Sequence, residues 1–146
     1  PSGRILDFDV FMNPKPSSIS VHGNVLYYVS STEVGALDVR TGDRLPWHAQ
    51  LDGSSWGLAA TAETVYVAGS FTTVDGKTRP RIAAIDAKTG AATSWDPEAD
   101  SHLWVIIPSG GLVFAGGNFE TIGRQRRSKF AVLDAETGDA LPGAVK

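Results

Sequence analysis

The sequence predicts an all-β, β-propeller-like fold: a partial propeller of three four-stranded antiparallel blades with a 48-residue period, preceded by a lone N-terminal strand. Three observations carry this. An Asp-x-x-Thr-Gly turn occurs at Asp38 to Gly42, Asp86 to Gly90 and Asp134 to Gly138, with Thr41, Thr89 and Thr137 spaced by 48 residues each time. The same offset maps Trp56 onto Trp104, Val65 onto Val113, Gly69 onto Gly117, Phe71 onto Phe119, Thr73 onto Thr121, Arg79 onto Arg127 and Ala83 onto Ala131. Finally, Gly, Pro and β-branched residues interrupt every window long enough for an amphipathic helix. A four-stranded unit cannot cover its own two apolar faces, so units at a fixed period must stack on one another, and this period suits a propeller blade.

The elements follow in order. Ser2-Gly3 and then Phe8 copy the spacing of Gly42 to Trp47 and of Gly90 to Trp95, which predicts a lone strand over 1–15 that completes a preceding blade. Residues 16–49 read as a shortened blade: Val25-Leu26-Tyr27-Tyr28-Val29 matches the Val65 and Val113 segments, and about ten residues are then missing before Ala36-Leu37-Asp38. In the blade over 50–97, strands are expected at Trp56 to Thr61, Thr64 to Phe71, Arg81 to Asp86 and Ala91 to Trp95, where β-branched and aromatic residues concentrate. Ala62-Glu63 makes its first turn, as His22-Gly23-Asn24 and Ser109-Gly110-Gly111 do in the other units. The blade over 98–146 departs at Gly143, where the other units carry an aromatic. Three blades fall short of the roughly four to eight of a closed ring, and uncovered end faces would be large apolar patches. The expected partners are therefore other propeller blades or a second copy of the chain.

Composition narrows the function. Against 13 Lys+Arg stand 16 Asp+Glu, a net charge of -3, which argues against a dedicated nucleic-acid binder. The absence of Cys removes disulfides, Cys-ligated zinc and thiol chemistry. Apolar runs are too short for a transmembrane helix, so no membrane insertion is expected. The chain opens on Pro1 without Met or a signal peptide and reads as a processed or excised piece of something longer.

At Val65-Tyr66-Val67-Ala68-Gly69-Ser70-Phe71-Thr72-Thr73-Val74-Asp75-Gly76, followed by Arg79, Ile82 to Asp86 and Thr89-Gly90, the chain resembles the delta-60 type repeats. These are propeller-like β repeats of a domain-of-unknown-function class in bacterial, often secreted, proteins. Val113 to Phe119, Asp134 and Thr137-Gly138 look like the same family, and Arg124 stands where that family has a second Gly. The resemblance implies a secreted or cell-surface setting. The Asp-x-x-Thr-Gly turn with a following Trp is also similar to the quinoprotein (PQQ-type) propeller repeat, in which the Trp comes one position sooner. Neither resemblance brings a catalytic motif.

The turn Asp and Thr are expected to accept backbone N–H groups while Gly takes a positive φ, since one carboxylate per turn falls short of the roughly six to eight oxygens calcium needs. Phe8, Trp47 and Trp95 are expected to pack between blades, because packing residues recur whereas recognition residues differ, and Trp56 and Trp104 share that logic. His22, His48 and His102 lack metal-ligand spacing, and Ser17, Ser18, Ser54 and Ser55 lack a nucleophile elbow. Asp96, Glu98 and Asp100 could suggest a carboxylate pair but read as a solvated loop. The sharpest local feature is basic: Arg124, Arg126, Arg127 and Lys129 match Lys77, Arg79 and Arg81 in the preceding unit, and Arg suits anionic ligands. Arg79, Arg81, Arg124, Arg126 and Arg127 are therefore the candidate ligand-binding residues. The reading is a non-catalytic propeller module of a larger extracellular bacterial protein, binding a protein or an anionic or carbohydrate partner through its loop face, with no cofactor or metal. The alternative is a fragment of a propeller enzyme, a quinone-cofactor dehydrogenase or a glycan hydrolase or lyase.

Overall fold

The computed structural model describes residues 15–142, and within them every regular element is a strand. The first blade is one antiparallel sheet in chain order: β1 (Pro16–His22), β2 (Val25–Ser30), β3 (Glu33–Asp38) and β4 (Arg44–Gln50). The second holds β5 (Ser55–Ala60), β6 (Thr64–Gly69), a small hairpin of β7 (Thr73–Val74) with β8 (Lys77–Thr78), and β9 (Ile82–Asp86), with sheet order β5-β6-β9. The third repeats it with β10 (Leu103–Ser109), β11 (Leu112–Gly117), the hairpin β12 (Thr121–Ile122) and β13 (Gln125–Arg126), and β14 (Phe130–Asp134), in order β10-β11-β14. The fold is thus all-β and propeller-like. The lone strand expected over 1–15, with Phe8, and the departure at Gly143 lie, but for Lys15, outside the described residues.

The turns behave as their residues require. Two-residue connections at Gly23-Asn24 and Gly110-Gly111, and the three residues Thr61-Ala62-Glu63, join the first two strands of each blade. At the Asp-x-x-Thr-Gly turns, Asp86 Oδ1 accepts the N–H groups of Lys88 at 2.7 Å and Thr89 at 3.0 Å, and Asp134 Oδ1 those of Glu136 at 2.7 Å and Thr137 at 2.9 Å. The Thr89 and Thr137 hydroxyls accept from Ala91 and Asp139, both at 3.2 Å. The closing Gly42, Gly90 and Gly138 sit at φ 80°, 80° and 81°, the left-handed region that glycine enters without a Cβ penalty. These backbone donors fill the turn carboxylates as expected from the sequence.

Two expectations need correction. Ala91 to Trp95 is not a full strand: the fourth segments of the second and third blades keep single bridges, Ile85 to Ala92 and Leu133 to Ala140. Among the described residues, only the first blade has a complete fourth strand, β4. The first unit is also one residue out of the assumed register. Val25 pairs with Asp38, Thr64 with Asp86 and Leu112 with Asp134, so Leu26 is the counterpart of Val65 and Tyr27 that of Tyr66. A one-residue slip exchanges the two faces of a strand, and both faces here are apolar, so the hydrophobic run alone could not fix it. The shortened loop is real, since β2 and β3 are joined by Ser31-Thr32 alone.

Burial explains the stacking. Successive β6 residues serve opposite neighbours: Val65 and Val67 join Val29, Val34 and Ala36 of the first blade, while Tyr66 and Ala68 join Val113, Ala115 and Leu133 of the third. The indole N–H of Trp47 donates to the Asp86 carbonyl and that of Trp95 to the Asp134 carbonyl, both at 2.9 Å. Each ring meets its own blade's tyrosine edge-on, Tyr27 at 5.0 Å and Tyr66 at 5.3 Å. Trp47 and Trp95 are inter-blade packing residues, as the recurrence argued.

The small hairpins are fasteners. Val74 of β7 bridges to Leu51, and the Asp75 backbone and carboxylate exchange hydrogen bonds with Gln50 at 2.7 and 2.9 Å, so the second blade's loop is held to the end of the first. The third blade's loop reaches back likewise, Gly123 N–H to the Pro97 carbonyl at 2.8 Å. Val74 and Ile122 are fully buried beneath these loops.

Candidate ligand-binding face

The first strand of each blade, β1, β5 and β10, packs against the next in series, and each begins with a β-bulge. Ser55 pairs with Gly69 and Gly57 with Ala68, which leaves Trp56 as the extra residue; Trp104 is extra between Leu103 and Val105, and Ser17 between Pro16 and Ser18. A bulge re-aims the side chain it carries. Trp56 and Trp104 consequently point outward, 40% and 47% exposed, which corrects the expectation that they pack between blades. Opposite the Trp56 and Trp104 bulges the backbones approach so closely that a Cβ on Gly69 would collide with the Ser54 carbonyl, and one on Gly117 with that of His102, whereas Ser30 stands opposite the Ser17 bulge. Buried Ser55 secures the arrangement, its one hydroxyl hydrogen shared between the carbonyls of Gly57 at 3.1 Å and Ala68 at 3.0 Å.

His102 stands between the two indoles, edge-on to both, with ring centroids 5.8 Å from Trp56 and 5.0 Å from Trp104. The Asn118 amide nitrogen lies 3.5 Å from His102 Nε2. His102 and Asn118 occupy the places of Ser54 and Ser70 in the preceding unit, so this rim breaks the repeat where the blade interfaces keep it. The sequence signal that could have found it was the pairing of recurrent Trp with unit-specific His and Asn.

The five candidate arginines divide by what they touch. Arg79 donates from Nε and Nη2 to the Thr93 carbonyl at 3.2 and 2.8 Å, and Arg127 does the same to the Leu141 carbonyl at 3.3 and 2.9 Å. They tie in the fourth segments that lack a full ladder, which gives them a structural part within the blade. Arg81 donates to the Ala99 carbonyl at 2.9 Å and has φ 67°. Arg124 pairs with Asp139 at 3.3 Å, with both side chains more than half exposed, and takes φ 67° where its counterpart Gly76 has 81°. Arg126 is exposed on β13. The loop that carries Arg124 and Arg126 leaves the second strand at the end where the Trp rim lies, and its tip folds back along the blade, where Gly123 bonds Pro97 and Ala140 and Arg124 pairs with Asp139.

The acidic residues separate as well. Asp100 accepts the backbone N–H groups of Glu120 and Thr121 at 2.9 and 3.1 Å, which hold its carboxyl below the ordinary range. Asp52, its counterpart 48 residues earlier, accepts from the Thr72 hydroxyl and the Thr72 and Thr73 N–H groups. Asp96 goes the other way: burial, then the neighbouring Glu98 charge, raises its pKa, and its Oδ1 is buried with no hydrogen-bond partner. Arg79 is 4.0 Å away. At the opposite end of the strands, an open groove of about 750 Å³ runs between the second and third blades, lined by Glu63, Tyr66, Ser109 and Glu136. Among the described residues no group of three or more His, Asp or Glu could hold a metal, and no helix is long and apolar enough to cross a membrane.

Comparison with family models and with curated proteins returns no match. Solved structures do match. The chain is similar to one in the crystal structure of a mitotic checkpoint complex, with TM-score 0.64, 16% identity, and coverage of 84% of this chain and 36% of that one. It is similar also to two computationally designed proteins: Ika8, with TM-score 0.61, 17% identity and coverage of 88% and 36%, and Ika4, with TM-score 0.61, 17% identity and coverage of 87% and 70%. The chain therefore spans about a third of the length of the first two, and at such identity the likeness supports the propeller-like repeat scaffold alone.

Proposed function

We propose that the chain is a non-catalytic propeller-type module that binds an anionic carbohydrate through the loop face holding Trp56, His102 and Trp104. The exposed indoles on either side of His102 carry this reading. The C–H face of a sugar ring suits a flat amphipathic indole, hydroxyls suit the Asn118 amide and the His102 ring nitrogen, and an acid group suits exposed guanidinium on the loop that leaves the strands at this end. Arg126 serves that last part, while Arg124 is paired with Asp139 and Arg79, Arg81 and Arg127 are backbone anchors. The resemblance to delta-60 repeats supports a setting in a larger extracellular bacterial protein.

Titration with uronic-acid and neutral oligosaccharides, followed by tryptophan fluorescence and calorimetry, tests the reading. Trp104→Ala and Trp56→Ala should abolish binding, and Arg126→Ala should weaken acidic ligands alone, with the circular dichroism spectrum unchanged. Binding insensitive to the Trp changes, turnover of a glycan, or a protein as the only ligand held at this rim would overturn it.

A further inference from the structure

The outermost faces of the first and third blades match the two sides of an inter-blade joint. On the third blade, Val105, Ile107 and Phe130 are 47%, 53% and 55% exposed, and Phe130 stacks on Phe114 at 6.3 Å. Their counterparts 48 residues earlier are Gly57, Ala59, Ile82 and Tyr66, the surface on which the third blade itself rests, with Ile106 against Gly57. On the first blade, Ile19 and Val21 are 55% and 54% exposed. By ladder register they stand where Leu58 and Ala60 stand in β5, the residues the second blade presents to the first.

The receiving positions grow more apolar along the chain, from Ser18 and Ser20 to Gly57 and Ala59 to Val105 and Ile107. An outer face of a stacked array that stays in water needs to be polar, and the Val105–Ile107–Phe130 face is the reverse. A covering surface must be apolar and fit a blade face, and the chain carries one at its other end.

We propose that the Val105–Ile107–Phe130 face docks the Ile19–Val21 face of a second copy of this chain, head to tail, so that β10 of one copy meets β1 of the next as β1 meets β5 and β5 meets β10. Contacts of this kind are heterologous and close into a ring when the rotation permits. Two copies joined at both ends bring together six blades, counting the three that residues 15–142 form in each, inside the range of about four to eight found in closed rings.

Sedimentation of the whole chain across a range of concentrations tests this. The wild type should populate species of twice 15.4 kDa or more. Ile107→Asp and Ile19→Asp should each weaken association about tenfold or more, and mixing the two variants should restore a dimer through the one joint left intact. Ile107→Ser and Ile19→Ser, with near-ultraviolet circular dichroism, separate lost docking from lost folding. A monomer at every concentration overturns the proposal, as does association indifferent to both changes. Association lost in Ile107→Asp alone would mean two third-blade faces packed on each other, or further blades of a longer chain seated there, and would overturn it too. Sugar binding at Trp56 and Trp104 is read separately, so either proposal can fail without the other.

Discussion

The Asp52 carboxylate accepts hydrogen bonds at 2.6 to 2.8 Å from the loop that leads to β7, foremost from the Thr72 hydroxyl, and its pKa falls from 3.8 to about 2. Because the folded state holds this proton less tightly than the unfolded chain does, the stabilisation is complete above about pH 4 and disappears as pH falls through about 2. Asp52→Asn should flatten that acid limb in urea unfolding followed from pH 5 to 2, and at neutral pH should cost roughly 1 kcal/mol or less, since the group is exposed. A buried group gives the opposite sign. The Tyr28 hydroxyl has no hydrogen-bond partner, so Tyr28→Phe should leave stability unchanged or raise it by up to about 1 kcal/mol in the same assay. Trp95→Phe removes the donor to the Asp134 carbonyl and should cost about 1–2 kcal/mol. Recurrence exposed Trp47 and Trp95 in the sequence because packing repeats with the blade. It misled at Trp56 and Trp104, since the extra residue of a bulge recurs at the same offset while pointing the other way, and periodicity carries no sign of direction.

At the scale of elements, the loops between second and third strands contain both a fastener and an exposed tip. Ile122 is fully buried under the β12–β13 hairpin, and Ile122→Ala should cost about 2–5 kcal/mol. Arg126→Ala, on the exposed strand of that hairpin, should stay within about 0.5 kcal/mol; chemical denaturation of both variants measures the contrast. The length and basic charge of these loops were legible in the sequence, as were the first three strands of the middle blade, the turns between first and second strands and the Asp-x-x-Thr-Gly turns. Two-residue strands such as β7 and β12 are too short to leave a periodic signal. The fourth segments read as strands because their composition suits one, but in the second and third blades Arg79 and Arg127 hold carbonyls that a full ladder would have used.

Over the whole molecule, stability comes from joints between like units and not from one central core. Since the turn carboxylates are filled by backbone donors, a chelator should leave the melting temperature unchanged, and a fall would revive metal binding at those turns. If copies associate through their end faces, the melting temperature should rise with protein concentration, which differential scanning calorimetry would register. The direction of the fasteners has a further consequence. Each hairpin belongs to the later blade and grips the earlier one, so during synthesis a joint can close only after the following unit has left the ribosome. A nascent chain would add finished blades one at a time to those already made. The first blade, with Ser31-Thr32 in place of such a loop, has no hairpin with which to reach backward.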